Sequence, residues 1–110
     1  MAGRYVSVDN HVTLAVIQFR VGWNNGDGTP NQYTAEKMGI NSGSSDTIEL
    51  LDYFNQGVLR EGATCWIEVT IVLGYTGSSN GNFTFSSTAG RVGYVVEGTS
   101  LNMHINGPYE

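Results

Sequence analysis

Cys65, Ile67, Val69, Ile71, Leu73 and Tyr75 occupy every second position between residues 65 and 75. Successive side chains of a strand point to opposite faces, so this spacing predicts one long strand with a continuous buried row. The intervening positions, Trp66, Glu68, Thr70, Val72 and Gly74, mix polar, aromatic and small residues, as on a face that is only partly covered. Residues 11–23 show the same period with a change of parity. Val12, Leu14 and Val16 lie on one row, whereas Ile17, Phe19, Val21 and Trp23 lie on the other. A bulge near Val16, or a crossing from one sheet to another there, reconciles the two halves.

Weaker signals fill in the remainder. Residues 32–38 alternate Tyr33, Ala35 and Lys37 with Thr34, Glu36 and Met38, which suits a polar edge strand. Over residues 46–57, Asp46 and Glu49 imitate a capping box and Gly57 can close a helix, while Thr47, Ile48, Glu49 and Leu50 fit a strand. A solitary helix of two turns is weak in water, so the pattern predicts a short strand followed by one helical turn over 51–56. Phe83 and Phe85 mark a strand after an Asn80-Gly81 hairpin signal. Val92, Tyr94 and Val96 pair with Leu101, Met103 and Ile105 across a short connection at Glu97-Gly98. The expected fold is all-β: a two-layer antiparallel β-sandwich or flattened barrel of about seven or eight strands, with at most one short helical turn. It occupies one domain over residues 1–110, without linker or internal repeat.

Composition narrows the partners. Only 14% of residues are charged and the formal net charge is −5, with Arg4, Arg20, Lys37, Arg60 and Arg91 scattered along the chain. Phosphate backbones and anionic lipids are captured by clustered cations, so no nucleic-acid partner is expected. Cys65 is the sole cysteine, which excludes an intramolecular disulfide, and its place on the apolar row makes it a small buried hydrophobe. Absence of a charged-then-apolar leader gives a cytoplasmic product as the expectation, or a secreted one if a leader has been removed.

Catalytic and metal chemistry find little support. There is no Gly-x-Ser-x-Gly elbow, and His11 and His104 lie near predicted strand ends without a paired carboxylate or ligand spacing. Asp46, Glu49 and Asp52 read as a solvated acidic face, and Asp27 alone is too few carboxylates for a dedicated calcium loop. No phosphate-cradling glycine loop occurs, so neither an enzyme nor a cofactor is expected. Asn82, Phe83 and Thr84 match the N-glycosylation pattern, which matters only for a secreted chain.

What remains is aromatic and amide side chains gathered in loops. Trp23, Asn24, Asn25, Asp27, Gln32 and Tyr33 surround one connection; Tyr75, Ser78, Ser79, Asn80 and Asn82 surround another. Sugars present hydroxyls and an apolar face of ring hydrogens, which rigid aromatics and amides complement. Trp23, Asn24, Asn25, Asp27, Tyr33, Tyr75, Asn80 and Asn82 are therefore the candidate ligand residues of a non-enzymatic, lectin-like module. Small β-sandwiches without disulfides include many soluble lectins and lectin-like toxins, an analogy at the level of fold. Shallow sites gain from avidity, so glycans and a homo-oligomer are the expected partners. The rival reading is a self-assembling structural protein or a pore-forming, toxin-like β protein, and only this one brings in membrane contact.

Overall fold

The computed structural model describes residues 1–72 and 74–110. In chain order the elements are β1 (Ala2–Gly3), β2 (Tyr5–Val12), β3 (Ile17–Asn24), β4 (Gln32–Tyr33), β5 (Lys37–Ile40) and β6 (Ser45–Glu49), then a one-turn helix α1 (Leu51–Asn55). There follow β7 (Thr64–Ile71), β8 (Thr76–Ser78), β9 (Phe83–Phe85), β10 (Arg91–Thr99) and β11 (Asn102–Tyr109). They form two sheets, as the all-β sandwich reading requires. One runs β1-β9-β7-β3-β4, with β5 also on β3 and β8 also on β7; the other runs β11-β10-β2-β6. Most pairs are antiparallel, but β2 lies parallel to β10 and β1 parallel to β9.

The alternating rows meet between the sheets. Cys65, Ile67, Val69 and Ile71 of β7 and Ile17, Phe19, Val21 and Trp23 of β3 face Val6, Val8 and Val12 of β2 and Val92, Tyr94 and Val96 of β10. The parity change is a true crossing: β2 belongs to one sheet and β3 to the other, joined by the turn at residues 13–16. The strand expected over residues 11–23 is thus two strands. The first begins at Tyr5, earlier than the sequence pattern suggests, because polar Asn10 interrupts its row of valines.

Other departures follow from pairing. β7 stops at Ile71 because the Ile71 N–H bonds the Tyr75 carbonyl and opens a turn; Leu73 lies outside the described residues and Tyr75 is not on the buried row. The expected edge strand over 32–38 is split into β4 and β5, since Thr34 turns inward and accepts the Val21 N–H through Oγ1. Asn80-Gly81 makes no hairpin. β8 and β9 both pair with β7, at opposite ends, and the chain crosses between them under the main chain of Gly107. A Cβ on Gly81 would collide with that carbonyl, so only glycine fits. β10 and β11 connect through Ser100 and Leu101, with Gly98 still inside β10.

Helix α1 closes one end of the sandwich. It is too short to persist alone and is held by tertiary contacts. Tyr53 meets Trp23 edge-on with 5.5 Å between centroids, and Phe54 meets Phe85 at 5.5 Å, while Leu50 and Leu59 beside the helix are buried.

Core deletions should separate the two faces of β7. Ile67→Ala or Val69→Ala should cost about 2–4 kcal/mol in denaturant titrations, because each leaves a cavity, whereas Thr70→Ala should cost under about 1 kcal/mol. Equal losses would contradict the assignment of faces.

Alkaline pH supplies a second test. Burial pushes the Cys65 thiol up from 9.0 to about 12 and the Tyr94 phenol from 10.0 to about 12. The unfolded chain gives up these protons first, so above about pH 9 it binds fewer protons than the fold. The contribution of these two groups to stability is therefore full below about pH 9 and falls as pH rises toward about 12. Cys65→Ala should make the fall shallower between pH 9 and 10, measured by denaturant midpoints. An unchanged slope would count against a buried neutral thiol.

Candidate functional site

The first loop cluster expected from the sequence is consumed by its own structure. Trp23 is only 1% exposed and its indole N–H donates to the Val58 carbonyl at 3.1 Å. It is a core residue under α1 and offers no platform to a ligand. Asn24 Oδ1 accepts the Gly26 N–H at 2.7 Å, and its amide donates to Asn31 Oδ1 at 2.9 Å. Asn25 bridges to the next loop by donating to the Val58 carbonyl and accepting from the Arg60 N–H. Asp27 accepts from the Thr29 hydroxyl and N–H, which, with Arg60 at 3.2 Å, hold its carboxyl below the usual carboxylate range. These amides make turns.

Tyr33 belongs to a different cluster, on the outer face of the larger sheet. The Arg20 guanidinium lies 4.0 Å from its ring centroid and Trp66 meets it edge-on at 6.4 Å. Glu68 accepts from Arg20 at 3.0 and 3.3 Å through Oε1 and from the Trp66 indole at 3.3 Å through Oε2. Trp66 lies over Gly22, where an added Cβ would fall 2.6 Å from the ring. The Arg20 guanidinium, the Glu68 carboxylate and the Trp66 indole N–H are engaged with one another, so the cluster covers the sheet. This grouping depends on the cross-strand pairs Arg20 with Glu68 and Gly22 with Trp66, which no spacing along the chain reveals.

Tyr75 and Asn80 do come together, along a groove between β8 and β11, with Ser78 beside them. Asn82 is exposed but does not line it, and Ser79 is buried, donating to the Gly81 carbonyl while its Oγ accepts the Ile67 N–H. Thus the candidates divide among the helix-capped end, the outer face and this groove.

The end opposite α1 was missed. Three connections meet there: residues 13–16 between β2 and β3, Val72 with Gly74 and Tyr75 between β7 and β8, and Ser100-Leu101 between β10 and β11. The Thr13 N–H donates to the Gly98 carbonyl, and the Val72 N–H to the Val16 carbonyl, each at 3.0 Å. On these turns Leu14 is 97% exposed, Leu101 92%, Tyr75 50% and Val72 48%. With Ala15, Val16 and Ile71 they line an open depression of about 620 Å³, and none of the described residues lining it is charged. Contiguous exposed apolar surface of this kind marks an interaction site, since scattered single side chains are the norm. Leu14 also takes a positive φ of 53°, which favours glycine or asparagine. A leucine there is unfavourable for both backbone and solvation. The parity change near Val16 marked this crossing, but the alternation along the chain puts Leu14 on the row of Val12 and Val16.

Asn10 holds the 13–16 turn in place. Fully buried, its Nδ2 donates to the carbonyls of Ala15 and Ile40, both at 2.8 Å, and its Oδ1 accepts the Val12 N–H at 2.9 Å. Its main chain bonds Ser44 and Gly43 at 2.8 and 2.7 Å. One side chain thus fastens β2, the 13–16 turn and the end of β5, which lie in different sheets.

Metal ligation has no geometric support: among the described residues, no three His, Cys, Asp or Glu side chains converge. No helix of the described residues is long and apolar enough to cross a membrane. No family model matches the chain, and neither does any curated protein. Among solved structures, the crystal structure of the human-specific toxin intermedilysin overlaps it with a TM-score of 0.41 at 12% identity. The overlap covers 93% of this chain and 22% of that one, and it assigns neither family nor activity.

Replacing the brace should destabilise the fold more than its size suggests. Asn10→Leu keeps the volume but strands two buried carbonyls and an amide, at a cost of about 1–3 kcal/mol for each unsatisfied group. The loss, read by thermal and denaturant unfolding, should exceed that of Val8→Ala. A smaller loss would mean that water satisfies these groups.

Proposed function

We propose that this chain is a non-enzymatic β-sandwich module that attaches to membrane surfaces by its uncapped end. Leu14, Leu101, Val72 and Tyr75 enter the boundary between headgroups and acyl chains. The observation that carries the reading is Leu14, an almost fully exposed leucine at positive φ on an uncharged apolar tip. Projecting single side chains from three turns suit a fluid apolar medium, and tyrosine suits the wet edge of it.

Magnitudes fit a reversible attachment. Full burial of a leucine side chain is worth about 2 kcal/mol, and half-exposed Val72 and Tyr75 add about 1–2 kcal/mol together. The total of roughly 5–6 kcal/mol corresponds to a dissociation constant near 0.1 mM, about the strength of one acyl anchor. Charge adds nothing, because a chain of net charge −5 with scattered cations is not drawn to anionic lipid. Attachment of this strength gains from several linked copies or from a second contact with the lipid.

Wild-type protein should therefore bind phosphatidylcholine vesicles in co-sedimentation, and added salt should not weaken the binding. Leu14→Asn, which relieves the positive φ, should leave thermal stability equal or higher while reducing binding about 30-fold, the share of one buried leucine at about 2 kcal/mol. Leu101→Asp should act the same way on binding. Unchanged binding in both variants would remove the membrane reading. So would their turning a soluble oligomer into monomers with no effect on vesicles, since that end would then be a subunit contact.

A further inference from the structure

We infer that the groove between β8 and β11 holds the headgroup of a lipid on which the uncapped end docks, and that this headgroup is a neutral sugar. The inference takes the membrane attachment proposed above as its premise. Tyr75 belongs to both surfaces: it lines the apolar depression at the tip and the groove beside it. The groove encloses about 430 Å³, within the range of about 300–1,000 Å³ usual for small-ligand sites.

Depth places it at the right level. His104 is three residues along β11 from Leu101, about 10 Å at roughly 3.3 Å per residue. The polar layer on each side of a bilayer is about 5–8 Å thick, and interfacial apolar groups sink about 5–10 Å. With Leu101 sunk about 3–5 Å past the acyl boundary, His104 stands in the outer part of the headgroup layer, and Ser78 and Asn80 line the same groove.

Chemistry then selects the headgroup. No Lys, Arg, Asp or Glu lines the groove, so a phosphate finds no cation and an ammonium no carboxylate. Ser78 and Asn80 offer hydroxyl and amide groups that both donate and accept, as sugar hydroxyls do, while the Asn106 amide donates to Glu97 at 3.1 Å and leaves its carbonyl oxygen to accept. Among the described residues β8 pairs with β7 alone and β11 with β10 alone, so each keeps one edge without a strand partner. Met103 and Ile105, partly buried against the core, and the Tyr75 ring supply apolar surface for the ring hydrogens. The second of the two loop clusters read from the sequence is thus retained in part, through Tyr75, Ser78 and Asn80.

The test compares vesicles of phosphatidylcholine alone, of phosphatidylcholine with a monohexosylceramide, and of phosphatidylcholine with phosphatidylserine. Wild-type protein should bind the hexosylceramide vesicles about tenfold more tightly than plain ones, the worth of two neutral hydrogen bonds, with no gain from phosphatidylserine. The double variant Ser78→Ala, Asn80→Ala should lose that gain and keep its binding to plain vesicles. Leu101→Asp should lose both. Equal affinity for plain and hexosylceramide vesicles, or a gain with phosphatidylserine instead, would overturn the sugar assignment while leaving the membrane attachment standing. If no vesicle is bound, saturation-transfer NMR with a methyl hexoside decides. A sugar signal present in wild type and absent in the double variant would support the groove as a sugar site, and no signal in wild type would overturn it. Far-UV circular dichroism confirms that both exposed substitutions leave the fold intact.

Discussion

The uncapped end of this sandwich depends on the side chain of Asn10. Elsewhere the two sheets cohere by burying apolar rows against each other, and at the far end α1 and its aromatics close the core. At the near end no element among the described residues lies over the core, and the 13–16 turn and the end of β5 would leave the buried carbonyls of Ala15 and Ile40 without a side-chain partner. Asn10 supplies two donors and one acceptor to them from a site with no solvent exposure. A buried amide is costly when unpaired, and fully paired it specifies a single arrangement. Here that arrangement holds Leu14 at the tip of its turn.

This asymmetry links fold to function. A strand end can be closed by packing something over it or by satisfying its polar groups from within. The helix-capped end uses the first device, and its amide-rich loop spends its hydrogen-bonding groups on turns. The other end uses the second, which frees its surface from structural duty and lets apolar side chains project into solvent. Leu14 and Leu101 contribute almost nothing to the core, so the fold does not require them to be leucine.

The low charge of the chain gains meaning in the same setting. Without clustered cations, the proposed attachment rests on apolar insertion and neutral hydrogen bonding, which salt screens little. The two surfaces joined at Tyr75, one apolar and one polar, have that character. A compact charged cluster, Arg20 with Glu68 beside Trp66 and Tyr33, is neutralised internally on the outer sheet face.

Much of the fold was legible in the sequence because strand periodicity is a local property. The row Cys65, Ile67, Val69 and Ile71 is buried as its spacing requires, the sheet crossing falls where parity changes, and a short strand precedes one helical turn after Glu49. β2 was obscured because its row contains Asn10, whose burial makes sense only when the carbonyls of Ala15 and Ile40 are beside it. The candidate site was less legible, for the same reason. Composition picks out amides and aromatics but does not say whether their polar groups are already paired, so Trp23, Asn24, Asn25 and Asp27 looked available when their partners lie in the 58–60 loop or within their own turn. Nor does periodicity tell an apolar residue that continues a buried row from one that ends it, as Leu14 and Leu101 do. Local alternation decided which residues could face a core; only the pairing of distant strands decided which of them do, and which apolar side chains were left outside.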